Sequence, residues 1–174
     1  GAKKYNPDVE IAITWVYTWY DPGKEKDAAV AMIQQGCDVL AQHTDSPAPL
    51  QAAQEAGIVG FGQASDQAKF APKAQLTASI DNWGPYYIAK VGQVLDGTWT
   101  TGDYFGTMDE GAVQMAPFAN MPLMVAEEAQ RIKDAISSGE LHGFTGPLNK
   151  QDGTPFLAEG EVATRAQLDT MMFY

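Results

Sequence analysis

The chain has 174 residues, of which 45% are hydrophobic and 19% are charged. This length and composition suit one substantial hydrophobic core, or one lobe of a larger protein, and they exclude a disordered tail. The 22 acidic and 11 basic side chains give a formal net charge of -11, which opposes binding to nucleic acid or to an anionic membrane through a general positive field.

The first residues and the single cysteine set further limits. Cys37 has no cysteine partner, so neither an intrachain disulfide nor a thiolate metal cluster can form, and its place before a strand favours a small buried side chain. No apolar run approaches the roughly 20 residues of a membrane span, and no signal peptide is present. Residues 1–8 are typical of a helix C-cap and a connecting loop. We therefore expect the natural amino-terminal half, with any export signal, to lie outside this chain.

The first β-α unit is predicted from residues 9 to 35. Val9–Val16 is rich in β-branched and aromatic residues, which predicts a largely buried strand. Asp21 is suited to an N-cap and Pro22 to the first helical position, so a helix is predicted over 24–35.

The same alternation of strand and helix continues along the chain. Further strands are predicted over 38–42, 58–62, 75–80 and 111–117, and helices over 46–57, 86–95, 122–138 and 166–172. The helix over 86–95 is expected to bury one apolar face, and a D-G turn at Gly153 predicts a hairpin. Strands separated by helices of this length imply right-handed crossovers and a parallel sheet, so the predicted fold class is α/β.

Polar or aromatic clusters follow four of the predicted strands. They are Tyr17–Pro22, His43–Pro47, Gln63–Asp66 and Asp81–Pro85. The carboxyl ends of neighbouring parallel strands lie along one edge of the sheet, where open α/β folds bind small ligands. The sequence therefore predicts a ligand-binding edge.

Trp19, in the first cluster, could present its ring to a flat heteroaromatic ligand or could cover the sheet edge. In the second cluster, His43, Thr44 and Asp45 suit hydrogen bonding. A metal site is not expected there, because the chain has only two histidines and they lack zinc-like spacing.

The third and fourth clusters supply further polar candidates. Gln63, Ser65 and Asp66 follow one strand, and Asp66 suits a turn cap as well as a ligand contact. Asp81 and Asn82 follow the next strand and suit either a helix cap or a ligand contact. The segment Gly60-Phe61-Gly62 lacks the complete glycine pattern of a dinucleotide-binding loop.

Catalysis has little support in the sequence. There is no G-x-S-x-G elbow, and neither Cys37 nor a serine has an evident histidine partner. Recognition without chemistry is the simpler interpretation, so we expect no catalytic residue, no cofactor and no enzymatic activity.

Four segments together resemble a known family. Trp15 to Lys24, Ala41 to Pro49, Phe61 to Asp66, and Leu76 to Tyr87 resemble the basic membrane protein family of ABC-transporter substrate-binding lipoproteins. The resemblance covers essentially the whole chain and matches the second half of such proteins. It implies a type I periplasmic-binding-protein fold, with two α/β lobes and a ligand cleft between them. It also implies an ABC permease partner, a periplasmic or extracytoplasmic location, and a lipid anchor outside this chain as the only link to the membrane.

The resemblance also implies roles for individual residues. Trp19 would stack on one face of a purine base, and the missing amino-terminal half would cover the other face. Nucleoside-binding members usually have aspartate at the position of Ala64 and lysine at the position of Asp81, which together hold the ribose. Both residues differ here, so we expect a free purine base, with adenine as first choice. The alternatives are a purine nucleoside receptor, a ligand-sensing regulatory domain and a purine or nucleoside hydrolase.

The expected organisation has three parts. Residues 1–81 form the ligand-binding α/β lobe, residues 82–97 form a crossover helix that packs toward the other lobe, and residues 98–174 return to complete the lobe and hinge.

Overall fold

The computed structural model describes residues 1–173, so Tyr174, the last residue of the predicted return segment, lies outside the described part. The helices are α1 (Ala2–Tyr5), α2 (Pro22–Gln34), α3 (Ala48–Ala56), α4 (Gly84–Leu95), α5 (Leu123–Ser137) and α6 (Arg165–Asp169). The strands are β1 (Val39–Ala41), β2 (Val59–Gly62), β3 (Gln75–Asp81), β4 (Val113–Met115), β5 (Leu148–Asn149) and β6 (Pro155–Leu157).

A four-stranded sheet in the order β1-β2-β3-β4 forms the centre of the molecule. The first three strands run parallel, with Val39 opposite Val59, and β4 runs antiparallel to β3, with Ser79 opposite Met115. The predicted α/β class with a parallel sheet is therefore confirmed. The carboxyl ends of β1, β2 and β3 lie along one edge of the sheet, as the predicted ligand edge requires.

The core lies where α2 and α3 pack on each other, with α3 also packing on β1 and β2. Its buried side chains are mostly small: Ala29, Leu40, Leu50, Ala52, Ala53, Ala71 and Ala74. Cys37 is half-buried against this cluster, in keeping with the small hydrophobic role predicted for it. Alanine at these positions allows the helices to lie close to the sheet.

The glycines of β2 are required by this close packing. A β-carbon on Gly62 would lie 2.8 Å from the β-carbon of Ala78 and 3.0 Å from Oε1 of Gln75. A β-carbon on Gly60 would lie 2.8 Å from the carbonyl oxygen of Leu40. Gly60 and Gly62 are thus strand residues kept small by their neighbours, which explains them without a phosphate-binding loop.

Gly62→Ala should lower the free energy of unfolding by about 1–3 kcal/mol, because the added methyl group overpacks the sheet. Urea unfolding measures the change. Gly92→Ala is the matched control, since a β-carbon there would have nothing within 4 Å and alanine raises helix propensity by about 1 kcal/mol. Equal effects of the two substitutions would contradict the packing explanation.

The strand predicted at Val9–Val16 is wrong for this structure. Within the described chain, residues 9–18 form no strand or helix, and Ile11 and Trp15 are 68% and 62% exposed. Thr14 and Val16 line a small pocket beside β1 without joining its ladder. An alternating pattern forms a strand only where an edge pairs with its backbone and another layer covers its side chains, and most side chains of residues 9–18 are exposed instead.

Helix α4 forms as predicted, but its apolar face is not buried by the described residues of this chain. All of its residues are described and none of them is buried. Its exposed apolar side chains are Tyr87, Ile88, Val91, Val94 and Leu95. The predicted cap is wrong: Trp83 occupies the N-cap position without a side-chain cap hydrogen bond, since Asp81 ends β3 and the Asn82 side chain bonds elsewhere.

At the amino terminus the predicted loop is replaced by α1, for which Gly1 is the N-cap residue rather than a C-cap.

The later elements follow the prediction more closely. Hairpin β5–β6 is antiparallel, and Gly153 takes φ +84° in its turn. Helix α6 is shorter than predicted, and a capping box between Thr164 and Gln167 begins it.

Candidate functional site

The first two predicted clusters lie side by side. The backbone N–H of Asp45 donates a hydrogen bond of 3.1 Å to the carbonyl oxygen of Trp19. The Trp19 side chain is 74% exposed, so its indole is free to meet a ligand instead of covering the sheet edge. Tyr17, two residues earlier, takes φ 51°, which turns the chain at this point. Trp19 and the end of β1 therefore share one surface.

The loop after β1 is shaped by its own side chains. Gln42 Nε2 donates to the carbonyl oxygens of Thr44 and Ser46, at 3.0 Å and 2.8 Å. His43 and Asp45 are exposed. The Thr44 hydroxyl oxygen is enclosed and has no hydrogen-bond partner among residues 1–173. The loop thus presents an imidazole and a carboxylate beside Trp19.

The ends of β2 and β3 are also joined. The backbone N–H of Asp81 donates to the carbonyl oxygen of Ala64 at 3.0 Å, and the Ser79 hydroxyl donates to Gln63 Oε1 at 3.1 Å. Ala64 takes φ 60°, a left-handed conformation that aspartate and asparagine adopt more readily than alanine. Ser65 and Asp81 are exposed at this end of the sheet.

Two predicted site residues already have structural partners. Asp66 Oδ1 accepts from the backbone N–H of Ala68 at 3.0 Å and from Gln75 Nε2 at 2.8 Å. These two hydrogen bonds, that from Ala68 foremost, lower the pKa of Asp66. Asn82 Nδ2 donates to the carbonyl oxygen of Gly111 at 2.9 Å. Both side chains hold loops in place, so a ligand that bound either one would compete with these intramolecular hydrogen bonds or add to them.

Glu25 is a residue of this site that the sequence analysis did not identify. Its side chain is only 1% exposed, yet it lies in the first turns of α2, directly behind the edge. Oε1 accepts from the backbone N–H of Asp21 at 2.9 Å, while Oε2 accepts from the Ser46 hydroxyl at 2.5 Å and from the Ser46 backbone N–H at 3.2 Å. An acid soon after an Asp N-cap was the available signal, because such pairs satisfy the free N–H groups of a helix start. No spacing rule indicated its bonds to Ser46.

The hydrogen bonds to Glu25 decide its ionisation. Burial raises the pKa of this carboxyl, but the Ser46 hydroxyl and the backbone N–H groups of Asp21 and Ser46 together outweigh burial, so the pKa lies below its ordinary value of 4.5. Glu25 is therefore ionised at neutral pH, with its charge held by donors instead of a basic side chain.

Glu25→Gln should destabilise the protein by about 1–3 kcal/mol at neutral pH, because an amide group in place of one oxygen leaves buried donors without an acceptor. Since the folded pKa lies below the unfolded one, the ionised carboxylate stabilises fully above pH 4.5, and this stabilisation is lost as pH falls through the lower folded pKa. The melting temperatures of the two proteins should therefore converge as pH falls below 4.5 and through the lower pKa of the folded protein. A difference that stays constant with pH would contradict this.

Metal-binding groups and membrane-spanning helices are both missing from the described residues. Residues 1–173 contain no group of three or more His, Cys, Asp or Glu side chains placed to hold a metal ion. None of the helices in this range is long and apolar enough to cross a membrane.

Comparison with known proteins shows the family to which the chain belongs. Residues 1–142 match the family model described as ABC transporter substrate-binding protein PnrA-like. A purine-binding protein of Brucella abortus is 53% identical over all 174 residues, which cover 50% of its length. A Haloferax volcanii protein named as an ABC transporter glucose-binding protein is 29% identical over 158 residues, covering 90% of this chain and 40% of its own length.

A solved structure supports the fold. The solute-binding protein of an ABC transporter system from Aeropyrum pernix superposes with a TM-score of 0.63 at 21% identity, covering 87% of this chain and 53% of that one. The chain thus spans about half the length of these relatives. On the family match over residues 1–142, the chain belongs to the PnrA-like family of ABC transporter substrate-binding proteins.

Proposed function

We propose that the full-length protein is the solute-binding component of an ABC importer, and that it captures a purine in a cleft of which this chain forms one wall. The observation that supports the proposal is the backbone hydrogen bond between Asp45 and Trp19, two residues whose side chains are both exposed at the sheet edge. An indole face stacks on a flat base, and a carboxylate accepts hydrogen bonds from its N–H groups. The purine-binding Brucella relative, 53% identical over the whole chain, supports the same ligand class.

We propose a free base, adenine first, over a nucleoside. From the resemblance to nucleoside binders we expect lysine at position 81 and aspartate at position 64. This chain has a carboxylate, Asp81, and a methyl group, Ala64, at these positions. A carboxylate at 81 suits an amino or ring N–H donor, whereas the pair that would hold ribose hydroxyls is missing. A sugar is the competing ligand, because of the Haloferax relative, but a sugar makes less use of a single exposed indole face.

Capture would work by closure of two lobes. The ligand contacts both walls of the cleft and stabilises the closed form through its higher affinity for that form. The opposite wall, and the second face of the base sandwich, would come from the amino-terminal half. An ABC permease would then recognise the closed form, outside the cytoplasmic membrane, with a lipid anchor beyond this chain holding the protein nearby.

Calorimetry on the full-length protein with adenine, adenosine, guanosine and glucose tests the proposal. Adenine should bind more tightly than either nucleoside, and glucose should not bind. Tighter binding of adenosine or guanosine would contradict the free-base proposal, and binding of glucose alone would contradict the purine proposal. Mass spectrometry of the molecule that copurifies with the protein identifies the natural ligand directly.

Two other functions are tested separately. Recovery of the purine unchanged after incubation excludes a hydrolase. A lipoprotein signal upstream favours import, whereas an upstream helix-turn-helix favours a ligand-sensing regulator.

A further inference from the structure

We propose that Glu25 is a positioning residue that fixes the position of Trp19 relative to Asp45 at the ligand site. This inference rests on the proposed function, since it concerns how that site is held in shape. Glu25 itself is 1% exposed and would not touch the ligand. It would act through the two chain segments that its carboxylate joins.

The geometry of these two segments carries the inference. Asp21, which donates to Glu25 Oε1 at 2.9 Å, stands two residues after Trp19. Ser46, which donates twice to Glu25 Oε2, stands one residue after Asp45. Thus each half of the Trp19–Asp45 pair is followed, within two residues, by a residue that donates to the same carboxylate.

The two segments are therefore connected in two ways: by a direct hydrogen bond between them, and through the Glu25 carboxylate to which both donate. The Asp45 N–H to Trp19 carbonyl bond is the only direct hydrogen bond between the two segments among residues 1–173, and it lies at the exposed edge. Without a support behind it, a single backbone hydrogen bond contributes little to the stability of this contact. Glu25 supplies that support from the buried side, where a charged acceptor holding three donors forms stronger hydrogen bonds.

The segment before Trp19 makes this support necessary. Residues 9–18 form no ladder with β1, so the sheet does not hold Trp19 in position. The position of Trp19 depends on α2, which begins at Pro22, and on the hydrogen bonds to the 43–46 loop. Glu25 connects these two elements.

The test compares Glu25→Gln and Ser46→Ala with Glu55→Gln in the full-length protein. Glu55 is the matched control, because it pairs with Lys26 of α2 at 2.9 Å but lies in an exposed ion pair. The first readout is amide exchange of Asp45 measured by NMR without ligand. Asp45 does not bond to Glu25, so faster exchange there in Glu25→Gln and Ser46→Ala, with no change in Glu55→Gln, supports a positioning role. Unchanged exchange at Asp45 in both variants overturns it.

The second readout is adenine affinity, measured alone and in a Trp19→Ala background. Glu25→Gln should weaken adenine binding by roughly tenfold when Trp19 is present and much less when Trp19 is absent. The reason is that Glu25 affects binding by positioning Trp19, so its substitution matters little once the indole has been removed. An equal loss in both backgrounds overturns the proposal, since a general loss of folded protein would not depend on Trp19. If Glu25→Gln fails to fold, Ser46→Ala carries both readouts, because it keeps the carboxylate and removes the hydroxyl that donates to Glu25 and accepts from the Ala48 backbone N–H at 3.3 Å.

The two proposals fail in different ways. If the unsubstituted protein binds no purine, the proposed function fails, while the exchange of Asp45 still decides whether Glu25 positions the edge. If purine binds but Asp45 exchange is unchanged, only the role of Glu25 fails.

Discussion

Trp19→Ala in the full-length protein should weaken adenine binding by about 30- to 150-fold. Full burial of an aromatic side chain contributes about 1.5–3 kcal/mol, so covering one ring face contributes about half of that, and stacking geometry adds about 1 kcal/mol. A loss of about 2–3 kcal/mol corresponds to this range of affinity, because each 1.4 kcal/mol is about tenfold. Calorimetry measures the change, and thermal melting shows whether the fold is kept. Since the side chain is 74% exposed without ligand, the substitution removes little packing from the unliganded protein.

Two further variants separate stacking from other effects. Trp19→Phe keeps an aromatic face and should recover most of the affinity. Trp99→Ala removes another exposed tryptophan, 52% exposed and located beyond the end of α4, and should leave adenine binding unchanged. Equal losses for Trp19→Ala and Trp99→Ala would contradict a stacking role, and so would an unchanged affinity in Trp19→Ala.

The sequence predicted those parts of the fold that local patterns determine. The β1-α3-β2 segment was predicted well, because caps, Pro and Gly positions mark its helix ends: Gly57 takes φ 73° as the C-cap of α3, for example. The strand predicted at Val9–Val16 failed, because pairing depends on a neighbour that sequence patterns do not reveal.

The candidate site was predictable only in part, for a similar reason. Placing His43 and Asp45 at the sheet edge needed only the rule for parallel sheets. Trp19 reaches the same edge for a different reason, its backbone hydrogen bond with Asp45, because the strand predicted before it does not form. Finding Glu25 behind that edge needed the distance between α2 and the 43–46 loop, which follows from tertiary packing. The engagement of Asp66 by Gln75 is another contact of this kind.

The exposed face of α4 bears on the expected three-part organisation. Ile88 and Leu95 are 76% and 81% exposed, and they lie on a helix without buried residues. An apolar face of this kind usually marks an interaction surface. Because the chain spans half of its purine-binding relative, this face supports the expectation that residues 82–97 pack toward the other lobe, which stays a prediction.

The ligand preference itself should be reversible with two substitutions, Ala64→Asp and Asp81→Lys. These residues are joined by a backbone hydrogen bond of 3.0 Å, so new side chains at both positions would start from neighbouring points of the edge. The left-handed conformation at 64, φ 60°, favours aspartate over alanine, so the first substitution should not disturb the backbone. In the double variant, adenosine should gain at least about tenfold over adenine, because a charged pair then holds the ribose hydroxyls and the carboxylate for the base is gone.

The single variants and a remote control show which change carries this reversal. Asp81→Lys alone should lose adenine binding without gaining much adenosine, since lysine then lacks its carboxylate partner. Asp96→Lys makes the same change of charge at the other end of α4, about 18 Å along the helix, and should alter neither affinity. If the double variant still prefers adenine, the ligand does not lie against Ala64 and Asp81. The free-base preference would then need another cause, whereas the stacking role of Trp19 would still stand on its own measurement.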